Sequence, residues 1–158
     1  MIEFTVEGDG LLASLRGKRD LLVTALTTRL NGLHLELQRR IQESVQGPIL
    51  QQRSGKLVRS IEMIPATVTG DAIEGTVQAG GGMAPYAIYQ ELGTRGPYKI
   101  VPINKQALAF MIAGQSVVRR SVMHPGLQPR PFMSTGVEAM EPEIISGLQG
   151  AVDQVAAQ

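Results

Sequence analysis

Leu22, Leu26, Leu30, Leu33, Leu37, Ile41 and Val45 recur every three or four residues, while Arg29, Glu36, Arg39 and Glu43 fall off that line. This period is that of an amphipathic helix with one core-facing stripe. Asp20 stands just ahead of the stripe as a candidate cap, and Gly47-Pro48 closes it. Upstream, Ile2, Phe4 and Val6 alternate with Glu3, Thr5 and Glu7, which predicts a half-buried strand ended by Gly8-Asp9-Gly10. A second helical stripe, Val137, Met140, Ile144, Leu148, Val152 and Val155, follows Pro131. Pro142 interrupts it and predicts a kink, or a second helix with proline in its first turn.

Between the two stripes the pattern shortens. Val58–Thr69 is rich in β-branched residues, Gly70-Asp71 can turn the chain, and Ala72–Ala79 returns, which together predict an antiparallel hairpin. The run Gly80-Gly81-Gly82 reads as a connector. Tyr86 to Leu92 predicts a short helix, stopped by Gly93 in a left-handed turn. Lys99–Ile103, Ala107–Ala113 and Val117–Met123 are strand-like, with a turn at Gly114-Gln115-Ser116 and an end at His124-Pro125-Gly126. The order predicts an α+β fold: an antiparallel sheet packed against a long N-terminal helix and a C-terminal helix, in a single domain spanning 1–158.

Composition narrows the chemistry. Without tryptophan, and with three Phe and three Tyr, the core has to be aliphatic. Without cysteine there is no disulfide, thiolate metal site or cysteine nucleophile. The start of the sequence has neither the basic beginning nor the apolar run of a signal peptide, and no apolar run reaches bilayer length, so a protein that is intracellular when made and has no membrane partner is expected.

The net charge of +1 hides a strong sorting. Residues 91–130 hold Arg95, Lys99, Lys105, Arg119, Arg120 and Arg130 against Glu91 alone, a net of +5. Residues 131–158 hold Glu138, Glu141, Glu143 and Asp153 and no base, a net of −4. Such sorting serves internal pairing, pairing between subunits, or a basic face turned to nucleic acid.

Three function classes compete for these features. For an enzyme the chain offers His34 within the long helix, His124 ahead of a proline, no G-x-S-x-G elbow and no phosphate-binding glycine loop. No catalytic residue, cofactor or metal is therefore expected. For a nucleic-acid binder, Arg119, Arg120, Arg95, Lys99 and Arg130 can meet phosphates, but stacking aromatics and known reading motifs are lacking, which leaves non-specific contact with DNA. For a structural subunit, loops of Gly, Pro, Arg and aromatics suit a partner interface. A basic segment and an acidic tail suit a head-to-tail contact, which closes into a ring or builds a filament.

Three stretches in fixed order sharpen this choice: RSGKLVRSI (53–61), YAIYQELGTR (86–95) and HPGLQPRPFMSTGVEAM (124–140). Together they resemble the neck, or tail-completion, proteins of long-tailed bacteriophages, a group similar to the tail-completion protein Z of phage lambda and the virion-morphogenesis proteins of Mu-like phages. The resemblance implies a non-enzymatic virion protein at the head–tail junction, a homo-oligomeric ring subunit beside head-closure, tail-terminator or tail-tube proteins. Stopper and tail-terminator proteins of adjacent layers are the alternative within the virion. The resemblance, with the charge sorting, makes Tyr86, Glu91, Gly93, Thr94, Arg95, Arg119, Arg120, Arg130 and Phe132 the candidate subunit or partner interface. Two roles stay open for the arginines 119, 120 and 130: meeting the acidic tail of an adjacent subunit, or lining a channel for the genome.

Overall fold

The computed structural model describes the backbone of residues 8–47, 50, 54–70 and 72–157, and side chains from residue 17 onward. The strand expected over residues 2–6 lies outside the described residues. The chain divides into two compact units, residues 1–84 with 132–158, and residues 85–131.

The first unit is built on α1 (Gly8–Gln46). This helix begins at Gly8, so Asp20 lies inside it and caps nothing; its carbonyl instead accepts the Thr24 hydroxyl at 2.8 Å. The physical reason is local: Leu11, Leu12, Ala13, Leu15 and Arg16 are strong helix formers and carry the helix past the cap signal. Downstream, Leu33, Leu37, Ile41 and Val45 are buried as the stripe requires. α2 (Lys56–Arg59) follows, and then β1 (Glu62–Thr69) pairs antiparallel with β2 (Ala72–Gln78) through a turn at Gly70, whose φ is +63°. The strand predicted from Val58 thus begins at Glu62, because residues 56–59 make a helical turn.

A second stripe on α1 explains how the hairpin is held. The Asn31 Oδ1 accepts the Ala66 N–H at 2.7 Å, and Gln38 Nε2 donates to the Ile61 carbonyl at 2.8 Å. Gln42 Nε2 donates to the same carbonyl at 3.3 Å. The β1–β2 register shifts between Ile64 and Thr67, at Pro65-Ala66. Proline has no N–H to give the ladder, so the strand bulges there and Ala66 turns its N–H to α1.

α4 (Met133–Ala156) is one helix with Pro142 inside it, not two. It runs antiparallel to α1: Gly136 lies against Ile41 and Leu37, and Gly147 lies under Arg29. A Cβ on Gly136 would come 2.7 Å from Ile41 Cγ1, so the missing side chain is what permits the approach. Arg40 ties the helices further by reaching both Glu36 at 2.8 Å and Glu143 at 2.7 Å. Among the described residues, Phe132, Leu33, Ile41, Ile61 and Met140 are the largest fully buried side chains.

The second unit holds α3 (Ala87–Leu92), β3 (Tyr98–Ile100), β4 (Leu108–Ile112), β5 (Gln115–Arg119) and β6 (Val122–His124). β3 pairs with β6, and β4 with β5, both antiparallel. The single strand expected over 117–123 breaks at Arg120-Ser121, which splits it between two ribbons. The β4–β5 turn falls at Ala113-Gly114, with φ of +48° and +82°. Two consecutive positive φ values are the signature of the tight hairpin turn that matches strand twist. The α+β class holds, and the strands among the described residues form three two-stranded antiparallel sheets.

Candidate functional site

The two sequence stretches rich in Gly, Pro and Arg close on each other within the second unit. After α3, Gly93 takes φ +71° and ψ −171°, a positive-φ conformation open chiefly to glycine that lies outside the left-handed helical well, so the helix does not end in the expected left-handed turn. The reason is the backbone that the chain meets there. The Thr94 N–H donates to the Leu127 carbonyl at 2.9 Å, and the Leu127 N–H donates to Thr94 Oγ1 at 2.8 Å. The Arg130 N–H donates to the Gln90 carbonyl at 2.7 Å, which fixes the end of α3 to the same segment. Next along, Gly126 N–H donates to His124 Nδ1 at 3.0 Å, and the His124 ring stacks on Tyr98 with centroids 5.0 Å apart.

Glycine is required here by close approach. A Cβ on Gly93 would sit 2.5 Å from the Leu127 carbonyl oxygen, and one on Gly126 would sit 2.8 Å from the Thr94 carbonyl oxygen. A Cβ on Gly96 would collide with the Pro125 backbone. Gly126 also holds φ +91°, a conformation costly for other residues. The clasp of residues 93–96 with 124–130 is therefore a backbone-to-backbone lock.

The expected interface residues do not share one environment. Gly93 and Thr94 are consumed by the clasp, and Tyr86 opens α3, its carbonyl accepting the Tyr89 and Gln90 N–H groups. Phe132 is 1% exposed and belongs to the core of the first unit, so its side chain offers a partner no surface. Glu91 is half-buried. Arg95, Arg119, Arg120 and Arg130 are exposed, and among the described residues the Arg119 guanidinium donates only to its neighbour's carbonyl, Val118, at 2.9 Å. Of the tail acids, Glu143 is taken by Arg40 of the same chain, whereas Glu138 and Glu141 enter no ion pair among the described residues.

Sequence reasoning missed the apolar surface. Within residues 85–131 only Ala87 is buried. Ile88, Tyr89 and Leu92 of α3 are exposed, as are Ile103, Met111, Ile112, Val118 and Met123. Both faces of the β4–β5 ribbon are apolar: Leu108, Phe110, Ile112 and Val117 on one, Ala109, Met111 and Val118 on the other. The first face encloses an open concavity of about 420 Å³ with Arg119 at its rim. The missed signal was alternation itself. A half-buried strand alternates apolar with polar, while residues 107–113 are apolar throughout.

Among the described residues, no group of three His, Cys, Asp or Glu side chains converges, and no helix is long and apolar enough to cross a membrane. The features that stand out are the backbone clasp and a ribbon with exposed apolar residues on both faces. No family model, curated protein or solved structure matches the chain.

Proposed function

We propose that this chain is a structural ring subunit of the head–tail junction of a long-tailed bacteriophage, acting as a neck or tail-completion protein that joins head to tail and lets the genome pass. The observation that carries the reading is the second unit's lack of a core. Residues 85–131 bury one residue, Ala87, while displaying Ile88, Leu92, Ile103, Met111 and Ile112. Two-stranded ribbons are marginal on their own in water, and a large exposed apolar surface marks a protein–protein contact. A subunit completed by its neighbours on assembly satisfies both constraints. The ordered motifs add the kind of assembly, since they resemble those of phage neck proteins; parts of the second and third meet in the clasp of residues 93–96 with 124–130.

On this reading the chain's neighbours are copies of itself and head-closure, tail-terminator or tail-tube proteins, its place is the virion, and its role is mechanical. The test is to disable the gene in the phage and inspect the particles. Full heads and separate tails that fail to join, rescued by the intact gene, with the chain located at the junction in a density map of the wild-type virion, are the expected results. Joined, infectious particles formed without the protein overturn the reading.

A further inference from the structure

We propose that the concave face of the β4–β5 ribbon of one copy seats on the outer face of α4 of a second copy, with Arg119 facing Glu141. This inference rests on the ring-subunit reading and names the surfaces that build the ring.

The ribbon supplies an apolar concavity and a cation at its rim. Phe110, Ile112, Val117 and Arg119 share one side of the ribbon, as the pairs Phe110–Val117 and Leu108–Arg119 require. Neither β4 nor β5 has a second strand partner among the described residues, and Ile112 is 56% exposed at the ribbon's end. α4 supplies the complement. Glu138, Glu141, Ile145 and Val152 recur at helical spacing on one face, turned away from the buried Met140 and Ala151. Ile145 is 62% exposed, and Glu138 and Glu141 have no ion-pair partner among the described residues.

Charge identifies the occupant as a second copy. Residues 85–131 carry the same charged groups as 91–130, a net of +5, and the whole chain carries +1, so the remainder carries −4. One surface of this protein is the electrostatic complement of another on the same protein, which is the condition for a heterologous, repeating contact. Spacing agrees. Val117 and Arg119 are two residues apart on one strand face, about 7 Å. Glu141 and Ile145 are one helical turn apart, about 6 Å. Ile145 can thus enter the concavity beside Val117 while Arg119 meets Glu141. Glu143 takes no part, because Arg40 holds it within its own chain.

The absence of cysteine allows a clean test on the full chain. Val117→Cys and Ile145→Cys are made in separate proteins, mixed, and oxidised. The expected product is a disulfide-linked dimer in the mixture that neither protein forms alone, and a ladder of covalent oligomers from the doubly substituted chain. Ser116→Cys, on the opposite ribbon face, serves as control and should link weakly to Ile145→Cys. Independently, Arg119→Glu should weaken self-association in sedimentation by about tenfold or more, with Glu141→Arg restoring it. No mixed dimer, linkage equal to the Ser116→Cys control, or self-linking of Val117→Cys overturns the proposal. So does an Arg119→Glu protein that self-associates normally while losing affinity for DNA, the behaviour of a channel lining. Loss of this contact with the chain still found at the virion junction would sink the inference and leave the ring-subunit function standing.

Discussion

Thr94 and Leu127 bind each other twice, through the Thr94 N–H to the Leu127 carbonyl at 2.9 Å and through the Leu127 N–H to Thr94 Oγ1 at 2.8 Å. The reciprocal pair joins segments 33 residues apart. It also explains why a threonine follows the helix-ending glycine. The hydroxyl does for Leu127 what a second strand would do.

Replacing Thr94 by Val keeps the shape and the backbone bond but deletes the side-chain acceptor. The Leu127 N–H is exposed and can turn to water, so the expected loss is about 0.5–1.5 kcal/mol in denaturant unfolding. Gly126→Ala should cost more, because it adds a contact with the Thr94 carbonyl oxygen to an unfavourable φ of +91°. Equal losses for the two variants would show that the backbones are not locked as described.

The two glycines where α4 meets α1 should respond oppositely. A Cβ on Gly136 meets Ile41, fully buried and without room to move, so Gly136→Ala should destabilise by about 1–3 kcal/mol. A Cβ on Gly147 meets the guanidinium of Arg29, the far end of a flexible side chain on an open groove. Gly147→Ala should therefore be neutral or stabilise by up to about 1 kcal/mol through helix propensity. Thermal unfolding of the pair checks this; a destabilised Gly147→Ala with an unaffected Gly136→Ala would reverse the assigned packing.

How much of this was legible depended on range. Helix α1 announced itself because its information is local and repeats, and Leu33, Leu37, Ile41 and Val45 lie where their spacing put them. Its start was misplaced because Asp20 offers a good cap that the preceding helix formers outweigh. Asn31, Gln38 and Gln42 read as polar residues next to a stripe, and nothing local says that they bind the backbone of residues 61–66. The clasp is the extreme case. Each half was visible as an odd stretch of Gly, Pro and Arg, but their pairing is a long-range fact. Phe132 was misplaced for the same reason, as an aromatic in an interface-like motif that tertiary packing draws into the core.

Leu37, 6% exposed and beside the Gly136 contact, is the test of the stripe itself. Leu37→Ala should cost about 2–5 kcal/mol in denaturant unfolding, the range for a buried leucine that leaves a cavity. A loss below about 0.5 kcal/mol, the usual size of a surface change, would place that face outside the core.

His34 sets a pH dependence whose sign follows from its surroundings. Its ring lies against Gly75 of β2, so closely that a Cβ there would collide with it, and its Nδ1 is buried without a hydrogen-bond partner among the described residues. The neutral ring with its proton on Nε2 leaves only an unpaired lone pair at Nδ1. Protonation would put a charged N–H donor there with no acceptor. Burial accordingly lowers the His34 pKa below its usual 6.5. The unfolded chain then binds a proton more readily than the folded one. Stability from this group is fully present above 6.5 and is lost as pH falls from there toward the lowered value, with no further loss below it. His34→Leu removes the titration. Denaturant unfolding of the wild type and this variant, measured at stepwise pH from neutral to mildly acidic, should give a stability difference that moves in the variant's favour as pH falls. A difference that stays flat across that window would mean that the ring is solvated on its Nδ1 side, and that the packing of α1 on β2 at Gly75 is looser than described.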